Sequence, residues 1–245
     1  ECAQPMINQL QSNIVWGQRG NFLSVPTDCP QRDERLGWTG DAQVFVRTAS
    51  FNALTAPFFA QWMQDVVDAQ REDGAFSDIA PAPGLGSGTA AWGDAGVIVP
   101  WTMYLCYGDR RILERSYPAM TRWIEYLKEH SDGLIRPAQG YGDWLSVDAD
   151  TPKDVIATAY FAYSTSLVAR MARLLGKDDD AERYEKLFEE IRKAFHARFV
   201  KEDGRIHGDT QTAYLVALRM NLLDEEGRRL AVHHLAEDVR RRGNR

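Results

Sequence analysis

Along most of the chain apolar residues recur at i, i+3, i+4 and i+7, the spacing that puts them on one face of an α-helix. The pattern predicts helices at about 5–16, 41–55, 57–71, 92–107, 110–130, 153–175, 179–199, 210–222 and 225–242, with three long loops at 20–40, 74–91 and 132–152. Strand-like alternation is almost absent, so the expected class is all-α. Pro57 and Pro152 fall where a first helical turn tolerates them, and Thr151 is a plausible N-cap.

Two kinds of connection alternate. In one, Asp-Gly is followed by an apolar residue: Asp73-Gly74-Ala75-Phe76, Asp132-Gly133-Leu134-Ile135 and Asp203-Gly204-Arg205-Ile206. The other is a tighter stop, at Tyr107-Gly108-Asp109, Leu175-Gly176-Lys177-Asp178 and Leu222-Leu223-Asp224-Glu225. The unit is therefore a pair of antiparallel helices recurring at roughly 60 to 70 residues, which means a solenoid or a closed ring of hairpins. The long Gly- and aromatic-rich connections all belong to one class of turn. In a ring they gather at one end and form a mouth. The helices fall short of six hairpins, so the ring is expected to be incomplete and to leave an exposed apolar flank.

Composition agrees with a folded domain: 245 residues, 44% hydrophobic and 26% charged. A net charge of -6 argues against a nucleic-acid partner, because such proteins gather Lys and Arg on one face. No apolar run approaches the roughly 20 residues that span a bilayer, so no membrane partner is expected. Cys2, Cys29 and Cys106 fit neither a disulfide framework nor a CxxC metal site, and lean toward a reducing compartment. The chain begins at Glu1 and reads as an internal piece, which leaves location open between cytoplasmic and exported, with cytoplasmic favoured, and homo-oligomerisation open too.

The densest chemistry lies between Pro26 and Asp41. Pro26, Pro30, Gly37 and Gly40 forbid a continuous helix, so Asp28, Arg32, Asp33, Glu34, Arg35 and Trp38 stand on irregular backbone. Crowded carboxylates raise one another's pKa and an indole wall desolvates an acid, which suits a general acid. A surface loop tied together by ion pairs explains the same residues more plainly.

The run Asp28 to Gln43, DCPQRDERLGWTGDAQ, closely resembles the signature of the bacterial α-L-rhamnosidases, glycoside hydrolase family 78. The resemblance continues through Ala91-Trp92-Gly93-Asp94 and Tyr141-Gly142-Asp143-Trp144-Leu145 and covers most of the chain. It implies an (α/α)6 toroid, with residues 1–245 forming a partial barrel that lacks the last hairpins and the flanking β-sandwich domains. It also implies hydrolysis of terminal α-L-rhamnose from a glycoside or polysaccharide with inversion, without metal or cofactor. Glu34 matches the general acid. Asp28, Arg32, Asp41 and Asp143 match residues around the sugar, and Trp38, Trp92 and Trp144 match its aromatic walls. The family's general base, a Glu in a Trp-containing motif, finds no match before Arg245. Two other readings stay open: another six-hairpin inverting glycosidase, and a helical carbohydrate-binding module without catalysis.

Weaker signals have simpler explanations. Adjacent His233 and His234 point to different faces and read as surface residues rather than metal ligands. Asp178, Asp179 and Asp180 suit a helix N-terminus. Gly84-Leu85-Gly86-Ser87-Gly88 lacks the strand and Lys of a phosphate loop and reads as a mobile lip. Trp62, Trp101 and Trp123 lie on apolar stripes and are assigned to the core, while Glu226 and Glu237 sit on amphipathic faces.

Overall fold

The structure is a computed structural model in which residues 2–243 are described. Among them are nine helices and only isolated β-bridges: α1 (Pro5–Asn21), α2 (Thr39–Asn52), α3 (Ala56–Asp68), α4 (Ala95–Tyr107), α5 (Arg110–Glu129), α6 (Lys153–Leu174), α7 (Asp178–Phe199), α8 (Gln211–Arg219) and α9 (Glu225–Arg241). The all-α class and each expected helix are present. No helix among the described residues is long and apolar enough to cross a membrane.

The ends follow local chemistry. Gly176, at φ 73°, follows Leu175, the C-cap of α6, and lets the chain reverse. The Lys177 N–H then reaches the Ala172 carbonyl and the Gly176 N–H the Arg173 carbonyl, a Schellman closure that satisfies two orphan acceptors. Asn221 plays the same part after α8, at φ 57°. Thr210 caps α8 through the Ala213 N–H and Asp224 caps α9 through the Gly227 N–H, each supplying an acceptor to a first-turn donor.

The chain divides into two compact units: residues up to Gly88 with Trp92–Ala119, and Thr89–Ala91 with Met120 onward. In the first, α4 packs on both α2 and α3. Phe59, Trp62, Met63 and Val66 of α3 are buried with Val46 and Ala49 of α2 and Val97 and Val99 of α4. Each large apolar side chain so buried contributes roughly 1.5–3 kcal/mol. Helix α1 runs past the expected end at 16 because its C-terminal turn has partners. Gln18 is buried and hydrogen-bonds the Ala49 carbonyl, and Phe22 stacks on Phe58 at 4.5 Å. Farther back, α1 turns Met6, Ile7, Leu10 and Trp16 to solvent.

In the second unit α6 is the central element, packed against α7 and α8. Its buried residues lie on nearly every side, from Val155 through Phe161 and Leu167 to Met171, as expected for a helix enclosed by others. Helix α7 instead buries one stripe, Ala181, Tyr184, Leu187, Ile191, Phe195 and Phe199. Burial pushes the Tyr184 phenol up to about 12. Arg136 is buried and donates to the carbonyls of Leu127 and His130, satisfying the C-terminal end of α5. The contacts of α2 with α4 and of α6 with α8 join alternate helices, the arrangement expected when hairpins line up side by side.

Three expectations need correction. Thr151 does not cap α6, whose N-cap is Pro152 without a side-chain bond; its hydroxyl goes to Asp143 and Thr210. Trp101 is only half-buried, whereas Trp62 and Trp123 are core. The stretch 84–88 is pinned to the chain beside it, with the Asp78 N–H bonded to the Gly86 carbonyl and the Gly88 N–H to the Phe76 carbonyl. The backbone there closes a bridge between Ser77 and Ser87 and does not hang free.

The segment 75–80 reaches the interior of its unit only because α4 carries Gly96. A Cβ there would lie 2.2 Å from the Phe76 ring. Gly96→Ala is therefore expected to cost about 1–3 kcal/mol through overpacking, seen as a lower denaturation midpoint at unchanged m-value.

Candidate active site

The charged loop is anchored at both ends. At its start the Thr27 N–H and hydroxyl both reach the Asn21 carbonyl, closing a turn at the end of α1. At its far end, residues 37–39 lie against 78–80. The Ala80 N–H donates to the Gly37 carbonyl at 2.9 Å, and both the N–H and the hydroxyl of Thr39 donate to the Asp78 carbonyl at 3.0 Å. Any side chain at position 37 would place its Cβ 2.3 Å from the Ala80 carbonyl oxygen, which the Trp62 indole N–H also holds, at 3.0 Å. Gly37 therefore allows the docking, and the docking sets where Trp38 and Asp41 stand on entering α2.

Between these anchors the side chains converge. Glu34 accepts the Trp38 indole N–H at 2.6 Å on Oε1 and pairs with Arg32 Nη2 at 2.5 Å through Oε2. Arg32 also lies 3.8 Å from Asp28 Oδ2. Cys29 Sγ donates to the same Asp28 oxygen at 2.7 Å. The Asp28 side chain is only 8% exposed, and its Oδ1 is buried without a hydrogen-bond partner. Ligand-type atoms of Asp28, Cys29 and Glu34 lie within 4.8 Å of one another.

The electrostatics follow from this crowding. The hydrogen bond to Asp28, then burial, pushes the Cys29 thiol up. The Cys29 sulfur and the Glu34 carboxylate beside it strengthen the hold of Arg32 on its proton. Asp41 is raised by desolvation first and then by the charge of Asp28. Asp33 and Arg35 stand exposed at the loop's tip.

Trp92 joins this group from the turn before α4. Its indole lies so close to Gly40 that a Cβ there would come within 2.7 Å of the ring. Asp28, Arg32, Glu34, Trp38, Asp41 and Trp92 thus share one unit and one neighbourhood. Asp143 and Trp144 belong to the second unit. There the Thr151 hydroxyl donates to Asp143 Oδ2 at 3.1 Å, and Trp144 is 64% exposed, edge-on to Tyr141. A cavity of about 490 Å³ in that unit is lined by Asp143, Ser146, Asp148, Gln211, Thr212 and Arg242. Sequence reasoning missed Gln211 and Thr212, which no motif marks, and the Cys29 thiol, whose adjacency to Asp28 was the available signal.

Because Gly40 carries Trp92 on its bare backbone, Gly40→Ala is expected to displace the indole while leaving the helices in place. Near-ultraviolet circular dichroism and tryptophan emission should change at constant far-ultraviolet signal, with a loss of about 1–3 kcal/mol in stability. An unaltered aromatic signal would show that Trp92 does not rest on Gly40.

Comparison with known proteins gives the family of the chain. Residues 1–245 match the family described as the bacterial alpha-L-rhamnosidase 6 hairpin glycosidase domain. An alpha-L-rhamnosidase of Streptomyces avermitilis is 59% identical over 236 residues, covering 96% of this chain and 23% of that protein. One from Formosa agariphila is 43% identical, over 95% of this chain and 26% of its own length. The crystal structure of the Streptomyces avermitilis enzyme complexed with L-rhamnose superposes with a TM-score of 0.96 at 56% identity, over 99% of this chain and 24% of that one. The native enzyme from Aspergillus terreus does so at 0.94 and 33% identity, over 100% of this chain and 30% of that one. The chain thus spans about a quarter of the length of the curated relatives it matches, and it belongs to the bacterial alpha-L-rhamnosidase six-hairpin glycosidase domain family.

Proposed function

We propose that this domain carries the acid side of an α-L-rhamnosidase, which removes terminal non-reducing α-L-rhamnosyl groups from glycosides or polysaccharides. The observation that carries the reading is Glu34, held between the Trp38 indole and the Arg32 guanidinium beside a buried, unpartnered Asp28 oxygen, in a chain of this family. Glu34 donates a proton to the glycosidic oxygen. To do so it carries that proton in place of one of its present donors, and Arg32, 60% exposed, is free to swing from Glu34 to a sugar hydroxyl. Asp28 Oδ1 accepts another hydroxyl, which gives the buried oxygen the partner it lacks. Asp41 holds a further hydroxyl. Trp38 and Trp92 face the C–H side and methyl group of the 6-deoxy sugar. Asp143 and Trp144 are proposed as substrate contacts from their motif.

Inversion is part of the proposal. It requires a second carboxylate about 6.5–9.5 Å from the acid, leaving room for the attacking water. Asp28 is assigned to a sugar hydroxyl and not to the water, and the base is sought outside this loop. A retaining enzyme would instead use a nucleophilic carboxylate roughly 5–5.5 Å from the acid, and the first anomer released separates the two outcomes. Inversion gives β-L-rhamnose first; α-L-rhamnose first would make Asp28 a candidate nucleophile.

The role of Glu34 is tested in the full-length protein with two leaving groups. Glu34→Gln keeps shape and hydrogen-bonding reach but delivers no proton. Turnover of an alkyl rhamnoside should fall by about 10² to 10⁴ in kcat, and that of a rhamnoside with an acidic phenol clearly less. Asp41→Ala should weaken both alike. Equal losses for Glu34→Gln on the two substrates would assign Glu34 to sugar binding and place the acid elsewhere.

A further inference from the structure

We propose that Asp28, Cys29 and Glu34 form a binding site for a thiophilic divalent cation of the zinc class. The three ligand-type atoms already lie within 4.8 Å of one another on one short loop. Four ligands placed tetrahedrally at the usual zinc distances of 2.0–2.3 Å stand about 3.5 Å apart, so a small contraction closes the set. The buried Oδ1 of Asp28 is an acceptor with nothing to accept, on a side chain that is more than nine-tenths buried. Asp28 thus offers two oxygens to an ion, Oδ2 beside the Cys29 sulfur and Oδ1 with no donor to give up. The ligand set decides the class of metal. One sulfur and two carboxylates are too few and too soft for calcium or magnesium, which take six or more oxygens, but suffice for zinc with water in the fourth position.

The exchange balances. The Cys29 S–H now bonded to Asp28 loses its proton to solvent as the sulfur–metal bond forms, and the Glu34 oxygen turns from Arg32 to the ion. Thiolate and two carboxylates carry three negative charges against the two positive charges of the ion. Arg32, exposed and within 3.8 Å of Asp28, supplies the remaining positive charge. The site is not a cofactor site. Its occupant ties up Glu34 and Asp28 and excludes substrate, so the enzyme is open to blockage by soft metals. The metal proposal does not rest on Glu34 being the acid, because binding is read without substrate.

Cobalt is the probe. Titrating the purified full-length protein with Co²⁺ should produce a near-ultraviolet thiolate-to-cobalt absorption that saturates at one ion per chain and is displaced by Zn²⁺. Cys29→Ser should abolish the band and weaken zinc binding at least tenfold, and Asp28→Asn should weaken it comparably. A variant with Cys2→Ser and Cys106→Ser, the two exposed thiols, should keep both properties. Should Cys29→Ser fail to fold, the wild-type protein still gives an answer: Zn²⁺ should slow alkylation of Cys29 by iodoacetamide at least tenfold, mapped by mass spectrometry. A band that survives Cys29→Ser, a band lost with Cys2 and Cys106, or unprotected alkylation overturns the proposal.

Discussion

The close approach of Gly37 to the Ala80 carbonyl holds the site together. That oxygen already receives the Trp62 indole N–H, and Trp62 is fully buried in the core of its unit. The same short stretch of backbone therefore links the hydrophobic core to the loop that carries the charges. With a side chain at position 37 the two strands of chain could not lie together, and the hydrogen bonds from Ala80 and Thr39 would go unmade. Glu34 and Trp38 are a few residues from that contact. Their mutual geometry is set by the packed backbone beside them rather than by the loop itself.

The arrangement around Glu34 joins two opposing tendencies. Carboxylates at Asp28, Glu34 and Asp41 repel one another, and the raised Asp41 carboxyl records desolvation first and that repulsion second. Arg32 offsets it, bridging Asp28 and Glu34 from the solvent side. Because the bridging guanidinium is exposed while Asp28 is buried, the cation is the movable partner and the anion the fixed one. A ligand with hydroxyl groups can take up the Arg32 donors and the free Asp28 acceptor together, and neither group is then left uncompensated.

The helices were legible because their signal is redundant: α7 repeats one apolar stripe six times between Ala181 and Phe199, and no local exception can hide it. Turns were legible where one residue type is required, as at Gly176. One error arose where a side chain had more than one partner to choose from. Thr151 looks like a cap beside Pro152, but the Asp143 carboxylate and the Thr210 hydroxyl are brought to it by the fold, and only three dimensions show that. In the same way the charged loop stood out through residue types at short spacing, while the unpartnered Asp28 oxygen, the Cys29 bond and the seat of Trp92 on Gly40 depend on backbone geometry that spacing does not encode.

In the proposed function this loop forms one side of a rhamnose pocket, with Glu34 at the anomeric centre. The most direct measurement is a crystal structure of the full-length protein soaked with L-rhamnose. A Glu34 carboxyl oxygen is expected within about 3.2 Å of the anomeric oxygen, the range for a working proton donor, with Asp28 Oδ1 accepting from a sugar hydroxyl. Rhamnose bound at another place, or at this loop with its anomeric carbon turned away from Glu34 and Asp28 Oδ1 still unpartnered, would contradict it.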